Sequence, residues 1–180
     1  MAAALAQAVL LTTFSNAYDY QRDELYYRML RPAWGYVDQP PLTPALARLT
    51  LHLADAPWAM RVPATLASSL SVVVLAMITW QLGGGRGAQT LAAWGYATAM
   101  MPLMLGHVLF TSTIDLLLLL VVVYAMLLAV GGRRRWWLVA GLVAGLATYN
   151  RWVVVVMVGG LVVGLLLLGP RRVFRTPYPY

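Results

Sequence analysis

Read for apolar runs and polar breaks, the chain is a series of hydrophobic stretches around one long polar segment. Met1–Phe14 is apolar and uncharged. It has neither a basic start nor an A-x-A-like exit, so it reads as a first transmembrane helix rather than a signal peptide. Its length spans only about 21 Å against a hydrocarbon core of about 30 Å, so the helix is expected to run on toward Tyr18 or to lack its beginning. Ala59–Leu82 is the second span, opened by Arg61-Val62-Pro63 and closed by Gly83-Gly84-Gly85-Arg86. Ala88 to Leu105 is the third, and Thr113 to Val130 the fourth, ended by Gly131-Gly132 and Arg133-Arg134-Arg135. Trp136–Leu168 as one helix would be about 50 Å long, too long for a single crossing. Its polar interruption Thr148-Tyr149-Asn150-Arg151 divides it into two short spans, 136–149 and 152–168.

The polar segment, 16–57, is broken by Pro32, Gly35, Pro40, Pro41 and Pro44. Asp19–Leu30 predicts one helix and Pro44–Leu53 another, with proline in its first turn. Leu42, Leu46, Leu49 and Leu53 recur at helical spacing with Arg48 and His52 between them, the pattern of a helix lying in the membrane interface. Tyr18, Tyr20, Tyr26, Tyr27 and Tyr36 suit the head-group belt. The expected fold is an all-α integral membrane protein. It has about six transmembrane helices (1–15, 59–82, 88–105, 113–130, 136–149, 152–168) in one domain, 1–180, with an outward-facing loop carrying short interfacial helices.

Composition supports that class. With 61% hydrophobic and 11% charged residues and a mean hydropathy of +0.72, there is too little polar surface to cover a soluble globule. The net charge of +7 comes from thirteen arginines against six acids. No basic stripe with stacking aromatics accompanies it, so nucleic acid is not an expected partner, whereas anionic membrane lipid is. There is no cysteine, which removes disulfides, thiolate metal sites and a cysteine nucleophile. Arg86, Arg133–Arg135, Arg171, Arg172 and Arg175 lie in short connections without neighbouring acids and mark the cytoplasmic side. The 16–57 loop, the 106–113 turn and the Asn150-Arg151 break then share the outer face.

Candidate chemistry sits on that face. Five of the six acids, Asp19, Asp23, Glu24, Asp38 and Asp55, fall between positions 19 and 55. The sixth, Asp115, heads a run of leucines, where a carboxylate is costly unless it caps the helix, is paired or faces a wet cavity. His107 reads as a polar residue of the outer turn, since no second ligand stands at metal-binding spacing. Gly141, Gly145, Gly159, Gly160 and Gly164 have the spacing of close helix packing rather than of a nucleotide loop.

These landmarks, in order, resemble a known superfamily. Asp23-Glu24 with Tyr26-Tyr27, Gly35-Tyr36-Val37-Asp38-Gln39-Pro40-Pro41-Leu42, Arg61-Val62-Pro63, Gly106-His107 before Thr111-Ser112-Thr113-Ile114-Asp115, and Gly141–Leu146 running into Asn150-Arg151 resemble the N-terminal half of a GT-C glycosyltransferase. The likeness is to the bacterial branch related to protein O-mannosyltransferases and lipid A aminoarabinose transferases. It implies a multi-pass protein of the bacterial inner (plasma) membrane that moves a sugar from a polyprenyl-phosphate-linked donor to an acceptor on the outer face. The acidic pair would supply the catalytic carboxylate, Asp23 as general base with Glu24 beside it, and Asp115 would orient the acceptor or Asp23. Tyr26, Tyr27, Gln39, Arg61, His107, Asn150 and Arg151 would bind substrate, with Arg61 or Arg151 taking the leaving phosphate. No cofactor is implied, and a divalent metal is not indicated. Relatives often carry a basic residue where Gln39 stands and Lys where Asn150-Arg151 stands. They also continue through further helices, which a partner chain or a homo-oligomer could supply here. The alternative expectation is a non-catalytic membrane subunit or a lipid-binding or transport component.

Overall fold

A computed structural model describes residues 1–169, all helical where regular, with no strand among the described residues. Nine helices follow one another among them: α1 Ala2–Thr13, α2 Arg22–Met29, α3 Leu42–Leu51, α4 Pro57–Gln81, α5 Arg86–Thr98, α6 Met100–Gly106, α7 Thr111–Val130, α8 Trp136–Thr148 and α9 Val153–Leu168. Only α4 and α7 of these are long and apolar enough to cross a membrane. At 1.5 Å per residue they span about 37 and 30 Å. The remaining apolar helices are shorter, and six full spans are not seen among the described residues. Arg171, Arg172 and Arg175 lie outside the described residues.

Two boundaries differ from the sequence reading for identifiable reasons. The helix α1 stops at Thr13 instead of continuing to Tyr18; the carbonyls of Ser15, Tyr18 and Asp19 beyond it converge on the Arg61 guanidinium, which carbonyls aligned along one helix axis could not do. The expected third span is two helices, with Ala99 between them in an extended conformation, φ −67°, ψ 140°. Pro102 explains the break. It has no N–H for the Thr98 carbonyl and its ring would collide with that carbonyl, but it is tolerated in the first turn of α6. By contrast, Trp136–Leu168 does divide at Tyr149–Trp152 into α8 and α9.

The helix α4 is the hub, packed against α1, α3, α5, α6 and α7. Its buried face is built from small residues, Ala64, Ala67, Ser68 and Ser71 among them, which let neighbouring backbones approach closely. Gly106 uses that closeness: a Cβ there would stand 2.7 Å from a Leu11 methyl and 2.8 Å from the Ser68 hydroxyl. Three apolar clusters result. Ala3, Ala4, Val72 and Ala97 join α1, α4 and α5. Val122, Ala125, Met126 and Ala140 join α7 and α8, with Met157 and Leu161 of α9 against them. Tyr27, Ala47, Met60, Ala64, Leu109 and Ile114 seat the loop helices α2 and α3 on α4 and the start of α7.

The face that α3 buries is not its leucine stripe. Thr43, Pro44, Ala47 and Thr50 are buried, whereas Leu49 and Leu53 are 64% and 71% exposed. The small residues allow close packing on α4, with Leu42 and Leu46 half-buried at its edge and Leu49 and Leu53 left outward, as an interfacial helix requires. The glycines of α8 and α9 likewise meet nothing: Gly141, Gly145, Gly159, Gly160 and Gly164 have no atom within 4 Å of a built Cβ. The close packing expected of them is therefore not made within the described residues.

Candidate functional site

Hydrogen bonds gather the outer-face segments at one end of the bundle. The Leu109 N–H donates to Glu24 (3.2 Å), and the Leu42 N–H to the Tyr149 carbonyl (2.9 Å). Asn150 Nδ2 donates to the Thr111 carbonyl (2.8 Å), and Arg151 to the Ser112 hydroxyl (2.8 Å). Loop 16–57, the turn before α7 and the α8–α9 turn are thus one structure, as the charge pattern implies. The ends of α4 and α7 meet away from it, with Gln81 beside Gly131 and Arg86 and Arg133–Arg135 following those helices.

The first layer of this end is an ion pair. Gln21 caps α2, its side chain accepting from the Asp23 N–H while Glu24 accepts from the Gln21 N–H (2.9 Å), a reciprocal capping box. That geometry turns Glu24 inward, where it is fully buried. Arg61, from the first turns of α4 and 1% exposed, donates Nε to Oε1 (3.0 Å) and Nη2 to Oε2 (2.9 Å). Its remaining N–H groups go to the carbonyls of Ser15, Tyr18 and Asp19, and the guanidinium lies 4.2 Å from the centre of the Tyr18 ring. A guanidinium has five N–H donors, and all five are spent. Arg61 therefore has nothing left for a leaving phosphate and Glu24 nothing for an acceptor; together they hold the loop on the bundle.

The second layer is accessible. Asp23, one residue before Glu24, points the other way: its side chain is 35% exposed and among the described residues pairs only with Arg22, at 3.5 Å, an arginine almost fully in solvent. Such a surface pair is worth little and leaves the carboxylate free. Tyr27, one turn on, is buried, and its phenol is pushed up to about 12 by burial first and then by Asp23; the Thr111 backbone and Arg151 oppose this. One phenol thus stands within the field of a free carboxylate and of an arginine from the far end of the sequence. Arg151 itself is exposed. It also acts on Asp115, as does the Asn150 amide. Asp115 is 5% exposed, and its Oδ1 is shielded without a hydrogen-bond partner among the described residues. Asp23 and Asp115 therefore lie at the same end of the molecule, Asp23 on α2 and Asp115 just after Thr111 and Ser112, which Asn150 and Arg151 meet.

The other expected residues divide between lining and support. Asn150 is fully buried, with its Oδ1 accepting from Thr43 (2.6 Å) and its Nδ2 donating to the Thr111 carbonyl; both ends of the amide are occupied, so it positions Arg151. His107 is tied to its own helix through Nδ1 and the Leu103 carbonyl (3.1 Å), and its carbonyl accepts from Tyr18 (3.2 Å). Tyr26 donates to Asp38 (2.8 Å), and Gln39 lines a cleft beside it. No group of three or more His, Asp or Glu side chains that could hold a metal ion occurs among the described residues. Gln21, Thr43, Thr111 and Ser112 were not singled out from the sequence. Gln21 had a signal in its three-residue spacing from Glu24, and Thr111 and Ser112 lay within the landmark that ends at Asp115, without a role of their own.

Residues 38–180 match the dolichyl-phosphate-mannose-protein mannosyltransferase family. The chain belongs to this family. It is thereby a membrane glycosyltransferase of the GT-C type at the family level, in agreement with the resemblance seen in its motifs. No curated protein and no solved structure gives a significant match. The matched stretch holds Asp38, Gln39, Arg61, His107, Asp115, Asn150 and Arg151 but begins after Asp23 and Glu24, so the account of those two rests on their surroundings.

Proposed function

We propose that this chain carries the sugar-transfer site of a polyprenyl-phosphate-sugar-dependent glycosyltransferase, working at the outer face of a bacterial plasma membrane, with Asp23 as general base. The observation that supports the reading is that Asp23, on α2, and the exposed Arg151, bonded to Ser112 at the start of α7, lie at one end of the bundle near Tyr27 and outside the Glu24–Arg61 pair. In the reaction, the Asp23 carboxylate takes the proton of an acceptor hydroxyl as its oxygen bonds to the anomeric carbon. The bond from that carbon to the donor phosphate breaks, and the phosphate leaves with the electron pair toward Arg151, whose planar fork suits two phosphate oxygens. Tyr27, with its raised pKa, remains a neutral hydrogen-bond donor at physiological pH. Asp115, buried at the start of α7 near Arg151, helps to orient Arg151. A general base contributes about 10²- to 10⁴-fold, so Asp23→Asn is expected to lower the turnover of a polyprenyl-phosphate sugar in reconstituted membranes by about that factor with little change in KM. An Asp23→Asn protein retaining full turnover would remove Asp23 from the chemistry.

A further inference from the structure

A second cleft lies beside the site, between the 34–41 loop and the α8–α9 turn, with a volume of about 530 Å³. Its walls combine two kinds of group. Trp34, Tyr36, Tyr149 and Trp152 supply aromatic rings, and of these Trp34 is 96% and Trp152 74% exposed. Asp38 and Gln39 supply polar atoms: the Asp38 carboxylate is used once, by the Tyr26 hydroxyl, and the Gln39 Nε2 is shielded from solvent without a partner among the described residues. A shielded amide N–H pair with nothing to donate to is costly unless a ligand accepts from it. Among the described residues no arginine lines this cleft and its one charge is negative, so phosphate is disfavoured here. What suits flat apolar rings together with a carboxylate and an amide is a neutral saccharide, whose C–H face packs on aromatic surface while its hydroxyls donate to Asp38 and accept from Gln39.

The cleft adjoins the site, since its lining residue Trp152 follows Arg151 directly. Tyr26 holds Asp38, and Asp38 also acts on the neighbouring Tyr27. We infer that the Trp34–Gln39/Trp152 cleft binds a sugar residue of the acceptor, so that the acceptor is a glycan or glycolipid rather than a bare protein hydroxyl. This rests on the transferase reading above, in which the donor's phosphate is met by Arg151, leaving the cleft around Asp38 to the other substrate.

The test is titration of the intact chain in nanodiscs, without donor, with a panel of neutral disaccharides (mannobiose, maltose, chitobiose), followed by saturation-transfer NMR and calorimetry. Binding of at least one is expected, weakened at least tenfold by Trp152→Ala and by Gln39→Leu and restored by Trp152→Phe. Absence of binding by every member, or equal binding by the wild-type and Trp152→Ala proteins, would overturn the inference and leave Trp152 as a membrane-interface anchor. Cleavage of a polyprenyl-phosphate sugar by the unmodified chain is measured alongside. Cleavage without saccharide binding removes the acceptor inference alone, whereas saccharide binding without cleavage removes the transferase reading.

Discussion

Removing Arg61 gives the clearest test of how this end of the molecule is built. In the Arg61→Leu protein, Glu24 would keep only the Gln21 and Leu109 amides of its four donors, and the carbonyls of Ser15, Tyr18 and Asp19 would lose theirs. Breaking a buried ion pair from one side costs about 3–5 kcal/mol, because the surviving charge stays buried. For a chain of this size that is a fall in Tm of roughly 6 to 20 °C, at about 2–4 °C per kcal/mol. Thermal unfolding in detergent, followed by circular dichroism, reads it directly. Glu24→Leu should cost a similar amount, and the double variant less than the sum by about 0.5–3 kcal/mol, the coupling expected of side chains in one network. An Arg61→Leu protein that melts with the parent, and instead loses affinity for a polyprenyl-phosphate sugar, would refute this reasoning and return Arg61 to the donor phosphate.

Three further outcomes are expected. Asn150→Leu strips Thr43 and the Thr111 carbonyl of their partner and should cost about 1–3 kcal/mol, while releasing Arg151 so that the donor KM rises more than kcat falls in a vesicle assay. Gly106→Ala forces a methyl into the Leu11 and Ser68 contacts and should lower stability by about 1–3 kcal/mol in the same melting experiment, as overpacking does. Tyr27, raised from 10.0 to about 12, is held in its neutral form by the fold. Its contribution is complete below pH 10 and is lost as pH climbs through about 12. Tyr27→Phe should flatten the pH dependence of unfolding in that window, and an unchanged profile would count against the burial of the phenol.

How much of this was legible beforehand depended on the range of the interaction concerned. Membrane character follows from composition and from apolar runs without ion pairs, and the break at Asn150-Arg151 from a polar cluster inside such a run; these are properties of consecutive residues. The placement of Arg86 and Arg133–Arg135 at the end opposite the acids is likewise written along the chain, because each apolar crossing reverses direction. The break at Ala99 was also there to be read, in the proline three positions on.

The roles within the acidic pair were not legible. Asp23 and Glu24 are adjacent, with the same functional group, and nothing local distinguishes them. The capping geometry at Gln21 and the approach of α4 send one carboxylate inward to an arginine 37 positions away and leave its neighbour in solvent. The two cations invert the same way: Arg61, flanked by apolar residues, is saturated, and Arg151, at a turn, is accessible. Burial and the number of donors a group has left depend on contacts between distant segments. Sequence alone thus determined a helical membrane protein with its polar chemistry on one face, and only the tertiary packing decided which carboxylate and which arginine remain free there.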